Sequence, residues 1–291
     1  MVDVHRYHQI SESTHRIMNP LSFDRMMLVG DICRLTSGDR LLDLACGKGE
    51  MLCQFAARYG VTGVGVDIFM PSVSEARARA AELGVEAAVV FREGDAAEPL
   101  DLGRFDAVSC IGASWIGGGL AGTFEIMKRH VEPGGWVLVG DVYWKQAPSA
   151  ELADQYGQEF ADLAGTLELF EAAGLELVEM VLTNDDDWDR YAASQWLNVS
   201  DWLIDNPDDR DAADVLAQRD ESRCQYLTEG RATLGWGVFV GRVPGNTGPG
   251  VLASSPETHP ADELWPTSTG DRGLPARPPA RPQPPCRRGD A

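Results

Sequence analysis

An acid and two glycines stand at the spacing that a nucleotide site requires. The stretch LLDLACGKGEML, Leu41 to Leu52, contains Asp43, Gly47 and Gly49 in the pattern D-x-x-x-G-x-G. Glycines let the backbone turn sharply, and they let a ligand approach where a Cβ would block it. A helix that starts directly after them points unpaired N–H groups at that ligand. These residue types therefore favour the binding of a nucleotide-like molecule.

The residues that follow indicate which nucleotide. A dinucleotide fingerprint needs a third glycine three residues after the second, and this chain has Leu52 there. Asp67 follows the glycine loop by about twenty residues, where an acid grips a ribose hydroxyl pair. Asp95 ends a further apolar run, VVFREGD. The spacing therefore weakens the interpretation as an NAD site without excluding it.

Alternating strands and helices must position these acids. Apolar runs predict seven strands: Leu41–Leu44, Val61–Phe69, a third ending near Asp95, Phe105 into a glycine-rich loop, Val131–Trp144, Leu175–Leu182 and Gly235–Val243. Helical patterns separate most of them, which favours a parallel α/β sheet covered on both faces.

The glycine stretch resembles motif I of the class I S-adenosylmethionine (SAM) methyltransferases, and the later elements follow in that family's order. The resemblance implies a Rossmann-like class I methyltransferase fold, with a seven-stranded, mostly parallel sheet whose last strand is antiparallel. The segments H-R-I-M-N-P, GASWIGGG, D-V-Y-W, W-D-R-Y and GWGVF are similar to a largely uncharacterised bacterial small-molecule methyltransferase group (type 11/25-like).

That resemblance implies a set of SAM-binding residues. They are Asp43, Ala45, Gly47 and Gly49 around the amino-acid end, Asp67 and Ile68 at the ribose, and Asp95, Ala96 and Cys110 toward the adenosine. Asp43 has a second interpretation, in which it only orders the loop. No His/Cys spacing indicates a metal site, so SAM is the one cofactor expected.

The acceptor should lie at the carboxyl ends of the fourth and fifth strands. Candidate catalytic residues there are Tyr143 and Asp141, with His15 from the N-terminal segment as the third. Candidate substrate-binding residues are Trp115, Tyr143, Trp144 and Trp188. Each aromatic side chain also has an interpretation as core packing, and the segment around Trp188 is either a lid or a helical pair packed on the sheet.

The predicted organisation has three parts. Residues 1–39 form an N-terminal helical cap, and residues 40–243 form the SAM-binding domain, with a helical insertion or lid at about 183–232. Residues 244–291 hold eleven of the seventeen prolines and five arginines against five acids. Such a composition cannot bury a core, so it predicts a disordered tail.

Composition narrows the class of partner. The formal net charge is −20, and a surface this acidic repels phosphate backbones, which disfavours nucleic acid as a substrate. No apolar run approaches the length of a membrane span. The six cysteines form no C-x-x-C pair, which favours reduced thiols and a cytoplasmic location.

These observations predict a cytoplasmic enzyme, a monomer or a homodimer, that transfers a methyl group from SAM to nitrogen or oxygen of a small molecule. A basic peptide is an alternative acceptor for so acidic a protein. Two other classes stay open: a noncatalytic SAM-binding or partner-binding protein, and an NAD(P)-dependent oxidoreductase.

Overall fold

A computed structural model describes residues 2–150, 152–153 and 160–245 of the chain. The strands are β1 (Arg40–Leu44), β2 (Thr62–Asp67), β3 (Val89–Glu93), β4 (Phe105–Ile111), β5 (Val131–Trp144), β6 (Glu176–Leu182) and β7 (Leu234–Arg242). They form one sheet in the order β3-β2-β1-β4-β5-β7-β6. The first five strands pair in parallel, and β7 lies antiparallel between β5 and β6. The predicted seven-stranded methyltransferase sheet is confirmed.

Helices connect the strands. They are α1 (Val4–Ser11), α2 (Phe23–Ile32), α3 (Glu50–Tyr59), α4 (Met70–Glu82), α5 (Leu120–Lys128), α6 (Leu163–Ala172), α7 (Asp185–Asp205) and α8 (Ala212–Gln225). A 3₁₀ turn, Ser114–Gly117, follows β4. A π-helical turn, Tyr226–Gly230, extends α8 toward β7. The predicted tail lies outside the described residues from residue 246 onward.

The sheet is buried on both faces because its central strands carry apolar side chains on both. In β1, Leu41 packs with α2, α3 and α4, whereas Leu42 and Leu44 pack on the other face with α5 and α6. All three leucines are at most 1 % exposed. Burying a leucine contributes about 1.5–3 kcal/mol, so β1 is fixed firmly at the middle of the sheet.

A third, smaller apolar cluster joins α1 to α7 and α8. Its buried members are Val2, Ile10, Val199 and Val215. We call helices α1, α7 and α8, with the segment 12–19 that follows α1, the cap. The cap therefore has a small core of its own, made from residues near both ends of the described chain.

Candidate active site

The glycine loop after β1 has a backbone that few residue types can adopt. Ala45, Gly47 and Gly49 have φ values of +53°, +53° and +69°. A Cβ on Gly49 would lie 2.6 Å from the Phe91 ring and 2.7 Å from the Ala76 Cβ. Position 49 therefore requires glycine for two reasons: its backbone is left-handed, and α4 and β3 approach it too closely for a Cβ. Helix α3 begins at the next residue with its first N–H groups at the loop.

Asp67, at the end of β2, is tied to that loop. Its Oδ2 accepts a hydrogen bond of 2.8 Å from the Gly47 N–H, and its Oδ1 accepts one of 2.9 Å from the Phe69 N–H. These bonds place a half-buried carboxylate beside the glycine turn, at the position where the sequence predicts a contact with a ribose. The cradle therefore has the two features that a nucleoside requires, an acid and a backbone without side chains in the way.

Asp43 lies beneath the loop rather than at its surface. The side chain is buried, and the Ser109 hydroxyl of β4 donates to its Oδ1 at 2.7 Å. The pKa of Asp43 is raised to about 7, mainly by burial and in smaller part by the Asp67 charge, against the lowering effect of the Ser109 hydrogen bond. The carboxyl group thus links β1 to β4 under the cofactor loop. Sequence reasoning missed Ser109, because a serine within a strand carries no distinctive spacing.

The predicted adenosine-side residues fall at the carboxyl ends of β2, β3 and β4. Ile68 is 54 % exposed after β2, and Ala96 is buried after β3. Asp95 is exposed, and its Oδ1 accepts a hydrogen bond of 2.9 Å from the Ala97 N–H. Cys110 is buried in the core that faces α5, and burial raises the pKa of its thiol. The Cys110 position can therefore offer a cofactor its backbone, but not a reactive side chain.

The acceptor-side candidates are placed differently from one another. Trp115 is 61 % exposed on the 3₁₀ turn after β4. Asp141 and Tyr143 are buried near the end of β5, and the Tyr143 ring lies against Gly235 and Phe239. Burial raises the pKa of Tyr143, and the charge of Asp185 raises it further. The Tyr143 ring therefore packs in the core below the site.

The remaining two aromatic candidates contact other rings. Trp144 meets Phe160 edge-on, with 5.8 Å between ring centroids. Trp188, on α7, packs against the core face that also holds α2, and its ring lies 6.3 Å from that of Tyr226. The structure thus brings Trp115, Asp141 and Trp144 to the carboxyl end of the sheet, and it places Trp188 between the cap and the core.

His15 belongs to a polar cluster between the segment 12–19 and α7. Its Nδ1 lies 3.0 Å from Oε2 of Glu12, and its Nε2 lies 2.6 Å from Oγ of Ser194. The Glu12 carboxylate also accepts hydrogen bonds from the Tyr191 hydroxyl, at 2.6 Å, and from the Gln195 amide. A sequence signal existed for part of this cluster, since Glu12 and His15 are three residues apart, but their partners on α7 lie far away in the chain.

The segment 12–19 lies directly over the glycine loop. The Lys48 ammonium group donates to the Glu12 carbonyl at 3.0 Å. The Met18 methyl group is 3.1 Å from where a Cβ on Gly47 would be. Asn19 donates its side-chain amide to the Ile111 carbonyl at 3.3 Å, at the end of β4. The cap therefore covers both the cofactor loop and the end of the strand next to it.

A cavity of about 520 Å³ opens between α1 and the loop after β2. Its lining residues are Asp3, His5, Arg6, Gln9, Ile10, Ser13, Phe69 and Trp202. The His5 and Phe69 rings stack with centroids 5.4 Å apart. Since Phe69 lines the cavity and its N–H bonds to Asp67, this cavity adjoins the acid that is predicted to contact the ribose.

The described residues contain neither a metal-binding cluster nor a membrane-spanning helix. In that part of the chain no group of three or more His, Cys, Asp or Glu side chains could hold a metal ion. None of its helices is long and apolar enough to cross a membrane. The thiols of Cys33, Cys46, Cys53 and Cys110 are free, and burial raises the pKa of each one.

The fold and the cradle define a class I SAM-dependent methyltransferase, and comparison with known proteins agrees. A family model described as "Methyltransferase domain" matches residues 35–194. The Escherichia coli protein YjhP is 41 % identical over 244 residues, which cover 82 % of this chain and 98 % of YjhP. Its crystal structure superposes with a TM-score of 0.77. The chain belongs to this methyltransferase family.

Two similar structures hold the product of the cofactor. A SAM-dependent methyltransferase from Geobacter sulfurreducens with S-adenosyl-L-homocysteine (SAH) is 41 % identical, with a TM-score of 0.78 over 83 % of this chain and 99 % of that one. A SAM-dependent methyltransferase from Thiobacillus denitrificans with SAH is 40 % identical, with a TM-score of 0.77 over 82 % and 99 %. The cofactor is therefore SAM, and the dinucleotide alternative is not supported.

Proposed function

We propose that this enzyme methylates nitrogen or oxygen of a small-molecule acceptor. The observation that carries the proposal is the cover formed by the segment 12–19, which makes contacts with Lys48, Gly47 and Ile111. A site with such a cover admits a small molecule more readily than a folded protein or a duplex. The formal charge of −20 supports the same choice against nucleic acid.

The cradle residues would hold the cofactor at three points. The glycine loop would accommodate the amino-acid end, Asp67 would accept from the ribose hydroxyls, and Asp95 would accept from the adenine amino group beside the Ala96 N–H. Bound SAM supplies an electrophilic methyl group on a sulfonium. The protein contributes alignment of the acceptor atom and exclusion of water, which together account for much of the rate in such transfers.

An acceptor that carries a proton also needs a base, and Asp141 is the candidate we favour. It lies near the end of β5, directly after Gly140, which pairs with Ile111 at the end of β4, so it is close to the cofactor edge. His15 is engaged by Glu12 and Ser194. Tyr143 is packed against Gly235 with a raised pKa. Asp141 is bonded as well, since its Oδ1 accepts from the Val142 N–H at 2.7 Å. We favour it for its place at the strand end.

The test is an acceptor screen with the purified full-length protein. Small amines, phenols and carboxylic acids are incubated with SAM, and methylated product is detected by mass spectrometry. A basic peptide and a DNA duplex serve as comparison acceptors. Methylation of the peptide with no turnover of any small molecule would overturn the proposal.

With an acceptor in hand, the base is assigned by three conservative substitutions. We expect Asp141→Asn to lower kcat by about 100-fold or more and to leave SAH affinity within about twofold. Tyr143→Phe and His15→Asn are the matched comparisons, and each should lower kcat less. If Tyr143→Phe or His15→Asn gave the largest loss, the base would be reassigned to that residue.

A further inference from the structure

Asn19 was not among the residues expected at the site, yet it reaches the crevice at the centre of the sheet. From β1 the chain runs outward to β2 and β3 on one side, and from β4 it runs outward to β5 on the other. The crevice between the carboxyl ends of β1 and β4 is therefore the switch point, where open α/β sheets bind their ligands. Met18 lies over Gly47 on the β1 side of this crevice. Asn19 lies against Gly112 on the β4 side.

The neighbours of the Asn19 side-chain amide determine which way it points. One end of the amide lies 3.3 Å from the Ile111 carbonyl oxygen. A carbonyl oxygen only accepts, so the amide nitrogen must be the end that faces it. The amide oxygen, Oδ1, then lies against Gly112, where a Cβ would clash with it. Position 112 therefore requires glycine to make room for Oδ1, and its φ of +77° favours glycine as well.

This amide oxygen has a hydrogen-bonding capacity that the fold does not use. In the part of the chain that the structure describes, no group donates to Asn19 Oδ1. The Gly112 N–H beside it donates to the Gly140 carbonyl instead, at 2.8 Å. Asn19 is half-buried, so a small molecule in the crevice can reach the oxygen. The amide nitrogen alone would attach the segment 12–19 to β4, and that attachment does not account for the oxygen.

The chain that follows Asn19 holds its side chain in place. Pro20 is buried, and proline restricts the residue before it to extended conformations. The Leu21 N–H donates to the Asn19 carbonyl at 2.7 Å, and the Leu21 side chain is buried in the core with α2. The amide oxygen is therefore oriented before a ligand arrives, which reduces the entropy that binding costs.

The chemistry of the proposed transfer indicates what this oxygen would bind. The methylated atom forms its new bond with a lone pair, and sulfur keeps the electron pair of the bond that breaks. An amine retains its N–H while this happens, and positive charge develops on its nitrogen. The N–H then becomes a stronger donor, so its bond to Oδ1 strengthens in the transition state. The surplus proton leaves the product nitrogen afterwards, to Asp141 or to water.

A hydroxyl group fits this position less well. Its only proton must leave as the new bond to carbon forms, and it must go to a base. An amide oxygen is too weak a base to take that proton, so a hydroxyl that donated to Asn19 would be held in an unreactive form. The amide at position 19 therefore favours nitrogen over oxygen as the methylated atom.

We infer that Asn19 positions the methyl acceptor through a hydrogen bond from that molecule's N–H to Oδ1, and that the acceptor is a primary or secondary amine. The inference rests on the proposed function, since it needs a small methyl acceptor in this crevice. It narrows that function from nitrogen or oxygen to nitrogen with at least one hydrogen.

The first experiment measures binding rather than turnover. Full-length protein saturated with SAH is titrated with aniline and, separately, with toluene, which has nearly the same shape but no N–H. Ligand-observed NMR gives both affinities for the wild type and for Asn19→Leu. The variant should lower the affinity for aniline relative to toluene by about three- to tenfold, the value of one hydrogen bond, with SAH affinity within about twofold.

Two further variants separate the oxygen of the amide from its nitrogen. Asn19→Asp retains an accepting oxygen but loses the donor to Ile111, and it should retain the preference for aniline. If Asn19→Asp lost this preference as fully as Asn19→Leu, the amide would serve only to attach the segment to β4, and the inference would be wrong. Asn206, whose amide donates to the Trp202 carbonyl at 2.8 Å, is the matched control. Asn206→Leu should bind both probes as the wild type does.

The remaining outcomes distinguish the inference from the proposed function. A wild-type SAH complex that did not bind aniline, or a preference for aniline that persisted in Asn19→Leu, would overturn the role of Asn19. If Asn19→Leu does not fold, Asn19→Ala removes the same oxygen and replaces it in the comparison. In the acceptor screen, methylation of a phenol or a carboxylic acid but of no amine would keep the proposed function and overturn the amine. Methylation of the basic peptide alone would overturn the proposed function itself.

Discussion

The two halves of the site are built in opposite ways. The glycine loop is completed by a bond from Gly47 to Asp67, 20 residues later. The cap is completed by bonds between partners 173 to 203 residues apart, such as Met18 with Tyr191 and Arg6 with Asp209. Joining residues that lie so far apart in the chain costs loop-closure entropy. Such bonds therefore form only when the rest of the fold already holds the two segments close together. The loop is therefore a local product of its sequence, and the cap is a product of the assembled sheet.

The two halves also differ in what holds them. Backbone geometry and close approach hold the loop, and a Cβ cannot be added at Gly49 without a clash. Polar side chains and a cluster of four buried apolar residues hold the cap. A small core opens more easily than a large one, so we expect the cap to move on a cofactor that the rigid loop keeps in place.

The largest effect should come from the loop. Gly49→Ala places a Cβ within 2.7 Å of Ala76 and Phe91 and forces an L residue to φ +69°. We expect it to lower the free energy of unfolding by about 2–5 kcal/mol, the sum of left-handed backbone strain and overpacking. Urea denaturation measures the loss.

Gly47→Ala is the matched control for that substitution. Its backbone is equally left-handed, but the nearest atom is the flexible end of Met18 at 3.1 Å. The cost should be about 1–2 kcal/mol from the backbone alone. Equal losses in the two variants would show that close packing under Gly49 contributes nothing.

The buried acid under the loop should give a pH effect of intermediate size. The pKa of Asp43 is about 7 in the folded protein, against about 3.9 in an unfolded chain. Between these values the folded state binds the proton more tightly, so the contribution of Asp43 to stability falls as pH rises toward 7.

Asp43→Asn removes that dependence. Between pH 4.5 and pH 7.5, conditions chosen to bracket the shift, the free energy of unfolding should fall by about 2–4 kcal/mol more in the wild type than in the variant. Denaturation of the cofactor-free protein at both pH values gives the difference. Parallel pH profiles for the two proteins would mean that Asp43 titrates as an ordinary exposed acid.

The smallest effect should fall on the cap alone. Val199, fully buried in the cap cluster, loses two methyl groups in Val199→Ala, at a cost of about 1–2 kcal/mol. Hydrogen exchange should accelerate in α7 and leave the amides of β1 and β4 unchanged. Val108→Ala, at an equally buried position in β4, should accelerate exchange throughout the sheet. Equal acceleration of the sheet by both variants would show that cap and sheet open as one unit.

Much of the fold could be predicted because its signals are local. The apolar runs of β1 and β4 and the glycines of the loop each specify an element without distant partners, and the order of such elements predicts the sheet. Asp67 and Asp95 could be named for the same reason, since each follows directly on a strand. Their roles toward SAM stay predictions.

The acceptor side shows where such reasoning ends. Trp115 and Tyr143 have similar sequence signals, yet one is 61 % exposed and the other is 6 % exposed. Strand periodicity gives the face on which a side chain lies, but not whether another element covers that face. Only the packing of β7 against β5 places the Tyr143 ring on Gly235.

By itself, the sequence determined the class of sheet and the position of the cofactor loop, because backbone conformation and apolar period depend on neighbouring residues. The tertiary structure alone decided that Ser109 bonds to Asp43 and that Glu12 meets Tyr191 and Gln195. Those contacts join residues that only the assembled sheet brings within hydrogen-bond distance, and no periodicity in the chain encodes a partner so far away.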